Sequence, residues 1–471
     1  MSKTKVSTTI VSPNSVSTAK VSLTKVSLTT ATSITVANMV GTGVFTSLGF
    51  QVVDVHSGFA LLLLWAAGGV FALCGALAYG ELAAALPRSG GEFHFLSAIF
   101  HPALGFLAGW VSLTVGFAAP IALAAMAFGQ YLARVVPGLT PLVASCVVVA
   151  LVTLAHLRDL KFSSSFQNAF TLLKVGLVLV FIVAGVLTEQ PTAIDFAPQP
   201  GDLEVVLGSS FAISLLFVMF AYSGWNAATY ITGEVADPAT NVPRSLVIGT
   251  ALVTLLYVGL NWAFLRITPI ADLAGQVEVG HIVAEDVFGQ VGGRWMSTIL
   301  CIALISTISA MTWAGPRVTQ TMGQDFAFFR AFAATHRDGS PRQAILLQTA
   351  IVLLLLLTAT FEVVLVYIQF TLVLSSFLAV LGVFELRRKA PDLPRPYRTW
   401  GYPVTPLLFL ALSVATMGHT LVTRPWESLA GLATVAVGLP IYWLSPRMGA
   451  DESSPKIKPA TSADVNGADE T

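Results

Sequence analysis

The stretch that decides the fold is Ala37-Asn38-Met39-Val40-Gly41-Thr42-Gly43-Val44-Phe45, in the first apolar run of the chain. Two glycines flank a threonine in the middle of a run that is long enough to cross a bilayer. Glycine weakens a helix interior, and unwound backbone inside a membrane is tolerated only where it lines a cavity. The stretch therefore predicts a broken transmembrane helix beside a binding cavity. Close helix packing through small residues is the alternative.

A second stretch, Phe220-Ala221-Tyr222-Ser223-Gly224-Trp225-Asn226, carries a similar interruption five apolar runs later. Inverted repeats with paired discontinuous helices place a substrate near the bilayer midplane. The start of a half-helix presents free N–H groups and a positive dipole end to a carboxylate. Carbonyls that unwinding releases can accept hydrogen bonds from an ammonium group. The two stretches together predict a transporter whose site suits an amino acid.

The composition independently indicates a membrane protein. Of 471 residues, 55% are hydrophobic and 11% are charged, with a mean hydropathy of +0.77. Soluble proteins usually carry about 25% charged residues, so much of the apolar surface here must face lipid. The 25 basic and 25 acidic residues balance, which gives no indication of nucleic-acid binding. We expect no metal, cofactor or catalytic residue, because Cys74, Cys146 and Cys301 lie in apolar runs without metal-ligand spacing.

The chain is expected to be an all-α membrane protein with about twelve spans, since about 20 apolar residues cross the hydrocarbon. The predicted spans are 27–49, 58–85, 103–132, 139–157, 166–187, 207–232, 246–266, 296–318, 342–359, 362–384, 403–424 and 427–445. Lys and Arg concentrate in the segments that share a side with the N-terminus, and basic loops favour the cytoplasm. We therefore predict a multi-pass protein of the cytoplasmic membrane with a cytoplasmic N-terminal tail, 1–26, and a disordered cytoplasmic C-terminal tail, 446–471.

Several motifs carry a resemblance to a known family. They are Val40-Gly41-Thr42-Gly43-Val44-Phe45, Tyr79-Gly80-Glu81-Leu82 with its continuation through Glu92, Phe220 to Asn226, Gly233-Glu234-Val235, Asn241-Val242-Pro243-Arg244, Ala314-Gly315-Pro316-Arg317, and the loop from Leu386 to Tyr397. With these motifs in this order, the chain resembles members of the amino acid–polyamine–organocation (APC) superfamily, and within it bacterial relatives of the L-type amino-acid transporters.

The resemblance implies a LeuT-like five-plus-five inverted repeat with helices 1 and 6 broken. The repeats would be 27–187 and 207–384, followed by a cytoplasmic loop and helices 11 and 12 in 385–445. The substrate-binding residues that it implies are Met39, Gly41, Thr42, Gly43, Phe220, Ala221, Ser223 and Gly224, with Phe220 as a gate. The loop between spans 3 and 4 has no cysteine. The disulfide that ties animal L-type transporters to a heavy subunit is therefore not expected.

Lys174 is the one Lys or Arg that we place in the interior of a predicted span, away from its ends. An ionisable group there is costly and indicates function, although a long side chain near a helix end can also reach the interface. In similar bacterial transporters a lysine at this point occupies the place of a sodium ion. The resemblance therefore implies sodium independence, with exchange or proton coupling through Lys174.

Glu81, Arg88, Glu234 and Arg244 lie at the cytoplasmic ends of spans 2 and 6 or just beyond them. We expect them to form an inner gate of ion pairs, and the alternative is a set of interfacial charges that meet water.

The sequence thus predicts a secondary active transporter of neutral amino acids that works by alternating access. Residues 34–46 and 218–230 contain no Asp or Glu, which favours neutral substrates over the alternative, a polyamine or cationic amino-acid carrier. A membrane enzyme is less well supported, because there is no HExxH motif, Cys/His cluster or paired intramembrane acid. A channel is less well supported because no repeated filter is present.

Overall fold

The computed structural model describes residues 25–158, 164–333 and 341–445. The predicted C-terminal tail, and all but two residues of the predicted N-terminal tail, lie outside the described residues. The described chain is helical, and its one β-bridge pairs Val26 with Val235. The chain is therefore an all-α protein, as the sequence predicts.

The helices run in chain order and are named by their bounds. They are α1 (Leu28–Met39), α2 (Gly43–Gln51), α3 (Gly58–Ala85), α4 (Gly91–Ile99), α5 (Pro102–Val111), α6 (Ala118–Val135), α7 (Pro141–Leu157), α8 (Ser164–Leu187), α9 (Asp202–Leu207), α10 (Ser209–Ala221), α11 (Pro238–Ile267), α12 (Ile270–Leu273), α13 (Val279–Asp325), α14 (Arg330–Ala333), α15 (Arg342–Thr358), α16 (Phe361–Lys389), α17 (Val404–Thr423) and α18 (Pro425–Leu444). A π-helical segment, Ser112–Phe117, joins α5 to α6, and 3₁₀ segments cover Ala227–Glu234 and Ala327–Phe329.

The predicted spans all have helical counterparts in the described residues. Nine helices there are long and apolar enough to cross a membrane, and α1 with α2 counts as one of them. The other three predicted spans appear as the shorter apolar helices α7, α10 and α15. Large apolar side chains such as Leu172, Leu255 and Val422 lie on the outside of the bundle, more than 70% exposed. This surface suits lipid, and the protein is a multi-pass membrane protein.

The chain breaks where the sequence predicts. The first broken helix ends at Met39 and resumes at Gly43. The second ends at Ala221 and continues beyond a turn as the 3₁₀ segment that starts at Ala227. The predicted junction between spans 9 and 10 is also present, since α15 ends at Thr358 and α16 begins at Phe361.

Helix α11 lies at the centre of the packing, against α1, α3 and α8. Small residues permit the close approach: a Cβ at Gly69 of α3 would lie 2.3 Å from Thr254 Cγ2 of α11. On the other side of the molecule α13 packs against α6 and α7. Both broken helices run beside this core, because α1 contacts α11 and α10 contacts α2 and α3.

The sequence did not predict the short helices α4, α9, α12 and α14, which are too short to give a hydropathy signal. Span 8 was predicted to begin at 296, whereas α13 begins at Val279 and passes a non-helical residue, Gly289 with φ 70°. The part before Gly289 contains charged residues, so its hydropathy does not mark it as a span.

Candidate functional site

The first break has the geometry of two opposed helix ends. Residues 40–42 are non-helical between α1 and α2. The first N–H groups of α2 have no partner within the helix, and their dipole end is positive. A Cβ at Gly43 would lie 2.7 Å from Ala221 Cα. Glycine is therefore required at the start of α2 because this backbone touches the end of α10.

The second break packs directly on the first. Gly224 has φ +95°, and a Cβ there would lie 2.8 Å from the carbonyl oxygen of Asn38. Its backbone conformation and its close neighbour both exclude larger residues. The two predicted interruptions, 185 positions apart at Met39 and Gly224, thus form a single feature of the structure.

The Tyr257 hydroxyl joins the two breaks. It lies 2.6 Å from the carbonyl oxygen of Met39 and 3.2 Å from that of Ala221, the last residues of α1 and α10. It has one proton to donate and shares it between two carbonyls that lack intrahelical partners. Tyr257 is fully buried. Its ring makes an edge-to-face contact with Trp65, and the two ring centroids are 5.6 Å apart. Tyr257 was not predicted as a site residue, because its one signal in the sequence is a phenol in the middle of a predicted span.

Lys174 lies on the other side of the first break. It is buried, and its Nζ donates a hydrogen bond to Thr307 Oγ1 of α13 at 2.7 Å. Lys174, Thr307, Gly41 and Phe45 line a cavity of about 10 Å³. The ammonium group therefore stays inside the protein and does not reach the interface, so the snorkelling alternative does not describe it.

The predicted substrate-binding residues come together at this place. Met39, Thr42, Phe220 and Ala221 are buried, and Gly41, Ser223 and Gly224 are partly exposed. The small cavity at Gly41 is near the lower limit for one water molecule, about 10–15 Å³. The cavity beside Lys174 is therefore too small to hold an amino acid.

Helix α1 begins at one face of the membrane bundle, here called the tail face. A buried carboxylate connects several helical segments at this face. Glu92 of α4 is 6% exposed. It accepts hydrogen bonds from Tyr79 at 2.9 Å, Asn226 at 2.6 Å and Tyr230 at 2.7 Å. These donors come from α3 and from the segment after the second break. Glu92 therefore holds that segment against α3 and α4.

Backbone contacts continue the closure at the tail face. The N–H of Val26 donates to the carbonyl of Glu234, and the N–H of Ala236 donates to the carbonyl of Val26, each at 2.9 Å. The N–H of Gly233 donates to Ser89 Oγ at 2.9 Å. The entry to α1 and the end of the second broken helix are thus tied to each other.

Glu81 forms ion pairs with residues that the sequence did not predict as members of the gate. Its carboxylate binds Arg387 through two hydrogen bonds of 2.8 and 2.6 Å, and Arg395 lies at 3.5 Å. Thr399 donates to it from both its N–H and its hydroxyl, each at 2.7 Å. Glu81 therefore clamps the loop before α17 through ion pairs with Arg387 and Arg395.

The remaining residues of the predicted gate are Arg88, Glu234 and Arg244. The hydrogen bond from Gly233 to Ser89 brings the chain at Glu234 close to the chain at Arg88, which is exposed. Glu234 and Arg244 are exposed. Arg244 lines a surface groove with residues of α3 and α11 and makes no ion pair among the described residues. Spacing in the sequence could not identify the partners of Glu81, because they lie about 300 residues further along the chain.

The opposite face, here called the far face, is closed by apolar and backbone contacts. Phe50 stacks on Phe217 at 5.3 Å and on Phe361 at 5.5 Å. The N–H of Gly275 donates to the carbonyl of Gly49 at 2.8 Å. Tyr131 donates to the carbonyl of Phe45 at 3.0 Å. The contacts at the far face thus join α2 to α10 and α16 through Phe50.

A protein-family model described as "Amino acid permease" matches residues 26–439, which is most of the chain and includes both breaks. The chain belongs to the amino acid permease family. Its members are transporters, and this agrees with the predicted class and with the resemblance to the APC superfamily.

Individual relatives agree with this assignment. The chain is 28% identical over 446 residues to the large neutral amino acids transporter small subunit 2 of Rattus norvegicus, covering 88% of this chain and 79% of the relative. It is 25% identical over 423 residues to the serine/threonine exchanger SteT of Bacillus subtilis, covering 88% and 94%. It is 27% identical over 425 residues to the human b(0,+)-type amino acid transporter 1, covering 88% and 86%. The similarity therefore extends over most of the chain.

Proposed function

We propose that this permease moves neutral amino acids across the cytoplasmic membrane by alternating access and independently of sodium. Transport proceeds by exchange or by proton coupling. The observation that carries the proposal is the buried Lys174 ammonium, hydrogen-bonded to Thr307 beside the first break.

The two breaks provide complementary groups for a zwitterion. The start of α2 at Gly43 offers N–H groups to a carboxylate, and the end of α10 offers carbonyls to an ammonium group. Tyr257 holds the two ends in register. Met39, Thr42 and Ser223 lie at these ends, so we assign the substrate backbone to them.

Neutral side chains are favoured because residues 34–46 and 218–230 carry no acid. Glu92 touches Asn226 and Tyr230 just beyond the second break, but three neutral donors already engage its two oxygens. A cationic substrate would need a carboxylate with a free oxygen. The names of the relatives fit this choice, since two of them refer to neutral amino acids or to serine and threonine.

Lys174 supports sodium independence through electrostatics. A second cation in the 10 Å³ cavity beside Nζ would meet like-charge repulsion at short range and a low local dielectric. The fixed ammonium instead links α8 to α13 beside the break, as a coupling ion would. If Lys174 releases its proton during the transport cycle, its contact with Thr307 couples amino-acid transport to proton movement.

In this proposal the tail face is cytoplasmic, in line with the excess of Lys and Arg on that side. The repeats 27–187 and 207–384 move relative to each other to open either face. Glu81 and Glu92 belong to the inner closure. The protein works without a disulfide-linked heavy subunit, because its three cysteines lie within α3, α7 and α13 and none lies in a loop.

The test is uptake of a radiolabelled amino-acid panel into proteoliposomes, with and without sodium, a pH gradient and internal substrate. We expect neutral amino acids to be taken up equally in the absence of sodium. Stimulation by internal substrate identifies exchange, and stimulation by an inward proton gradient identifies proton coupling. Preference for arginine, lysine or polyamines would favour the alternative carrier class.

Lys174→Ala is expected to lower uptake at least tenfold, because a buried cation that forms the contact between α8 and α13 is lost. Lys389→Ala is the matched control, since Lys389 is a partly exposed lysine that pairs with Glu385 at the tail face. Normal transport by Lys174→Ala, or a requirement of the wild type for sodium, would contradict the proposal.

A further inference from the structure

A groove of about 340 Å³ opens at the tail face, apart from the substrate site. Leu77 of α3, Val247 and Ile248 of α11, and Tyr397 and Trp400 of the loop before α17 line it, and Arg244 is its one charged lining residue. This volume lies within the range of small-molecule sites, about 300–1,000 Å³.

The walls of the groove are fixed by packing. A Cβ at Gly80 of α3 would lie 3.0 Å from the Tyr397 ring and 3.1 Å from Pro243 Cβ of α11. Tyr397 therefore packs beside the contact between α3 and α11 at Gly80 and Pro243. Two positions further along the chain, Thr399 is held by Glu81. The clamp at Glu81 thus keeps the loop, and with it Tyr397 and Trp400, in place against α11.

The groove faces outwards and is mostly apolar. Trp400 is 75% exposed and Ile248 is 49% exposed, and Leu77 and Val247 are partly exposed. Apolar side chains in this position have lipid chains as their natural neighbours. A tryptophan at the boundary of the membrane is typical of the headgroup region.

Arg244 gives the groove its charge complementarity. It is exposed, and no acidic side chain pairs with it in the part of the chain that the structure describes. Helix α11 has 30 residues, which corresponds to about 45 Å, so its first turns extend beyond a hydrocarbon core of about 30 Å. Arg244 lies in the second turn of α11, two residues before the predicted span 246–266, and this position suits contact with headgroups. A single cation above an apolar groove matches an amphipathic anion.

We propose that this groove binds an anionic phospholipid of the tail-face leaflet. Its phosphate contacts Arg244, and one acyl chain lies against Leu77, Val247 and Ile248. Basic pockets on the cytoplasmic side of membrane helices bind anionic headgroups by the same physics. The lipid would join α3, α11 and the loop before α17, and the site requires no assumption about which substrate the permease carries.

The experiment uses the purified full-length chain in detergent and titrates it with phosphatidylglycerol or phosphatidylcholine that carries brominated acyl chains. Bromine quenches nearby tryptophan fluorescence, and the difference between the wild type and Trp400→Phe isolates the signal of Trp400. We expect phosphatidylglycerol to quench this signal at about fivefold lower lipid concentration, the size expected for one arginine near an anionic surface.

In Arg244→Gln, the phosphatidylglycerol concentration that gives half-maximal quenching should rise to the value for phosphatidylcholine. In Arg330→Gln it should stay at the wild-type value. Arg330 is the control because it is an exposed arginine outside the groove. Native mass spectrometry of the same proteins counts retained phosphatidylglycerol and serves if Trp400→Phe does not fold. Equal midpoints for both lipids, an unchanged preference in Arg244→Gln, or displacement of the lipid by inorganic phosphate would overturn the proposal.

Discussion

The hydroxyl of Tyr257 lies 2.6 Å from the carbonyl oxygen of Met39, and the same oxygen is 3.2 Å from the carbonyl of Ala221. One side chain of an unbroken helix therefore holds the ends of two broken ones. The substrate-binding geometry that we propose depends on this contact, because it sets the spacing between the start of α2 and the end of α10.

Tyr257→Phe should leave the fold intact, since the ring keeps its packing against Trp65 at 5.6 Å. Two buried carbonyls would lose their shared donor, which costs about 1–3 kcal/mol. We expect transport efficiency, measured as kcat/KM for uptake, to fall about tenfold. Tyr367→Phe is the control, because it removes a hydrogen bond to Thr434 that lies away from the breaks. Equal effects of the two substitutions would argue against a special role for Tyr257.

Gly224→Ala should disrupt the site. The residue has φ +95°, and its new Cβ would lie 2.8 Å from Asn38 O. A side chain in this conformation costs about 1–3 kcal/mol before the clash is counted. The measurement is thermal stability in detergent together with uptake, and both should decrease. Gly418→Ala should leave both unchanged or slightly improved, because no atom lies within 4 Å of its added Cβ.

Glu92→Gln should weaken the closure at the tail face. The carboxylate accepts three hydrogen bonds through two oxygens, whereas the amide has one oxygen and an NH₂ group that faces donors. The loss of about 1–3 kcal/mol shifts the population towards states open at that face. We expect KM for substrate added at the far face to rise about fivefold or more. Glu385→Gln, at a surface ion pair, should leave KM unchanged, and an unchanged KM in Glu92→Gln would remove Glu92 from the closure.

Glu81→Ala should destabilise the protein more than it changes substrate affinity. It removes the partner of Arg387 and the acceptor for both donors of Thr399. Removal of one member of a buried ion pair costs about 3–5 kcal/mol. Thermal unfolding in detergent should shift to lower temperature by several degrees, while KM stays near its wild-type value. Glu385→Ala again provides the surface comparison, and a normal melting temperature in Glu81→Ala would show that the clamp is not required.

The sequence predicted both breaks because glycine has a direct local cost inside a helix. The breaks at Gly41, Gly43 and Gly224 could therefore be predicted without knowledge of the residues that pack against them. The role of Tyr257 and the partners of Glu81 could not be predicted, because their contacts join residues that are far apart in the chain. Tyr257 reaches back 218 positions to Met39, and Glu81 reaches forward 306 positions to Arg387. The repeat boundaries and the roles of the substrate-binding residues stay predictions.

The size of the cavity at Gly41 has a consequence for energy conservation in the cell. A space of about 10 Å³ between Lys174 and the break cannot hold a chain of water molecules. Protons and small ions therefore find no chain of water molecules through this cavity. Ion leak at this point would then depend on how often the empty carrier changes conformation.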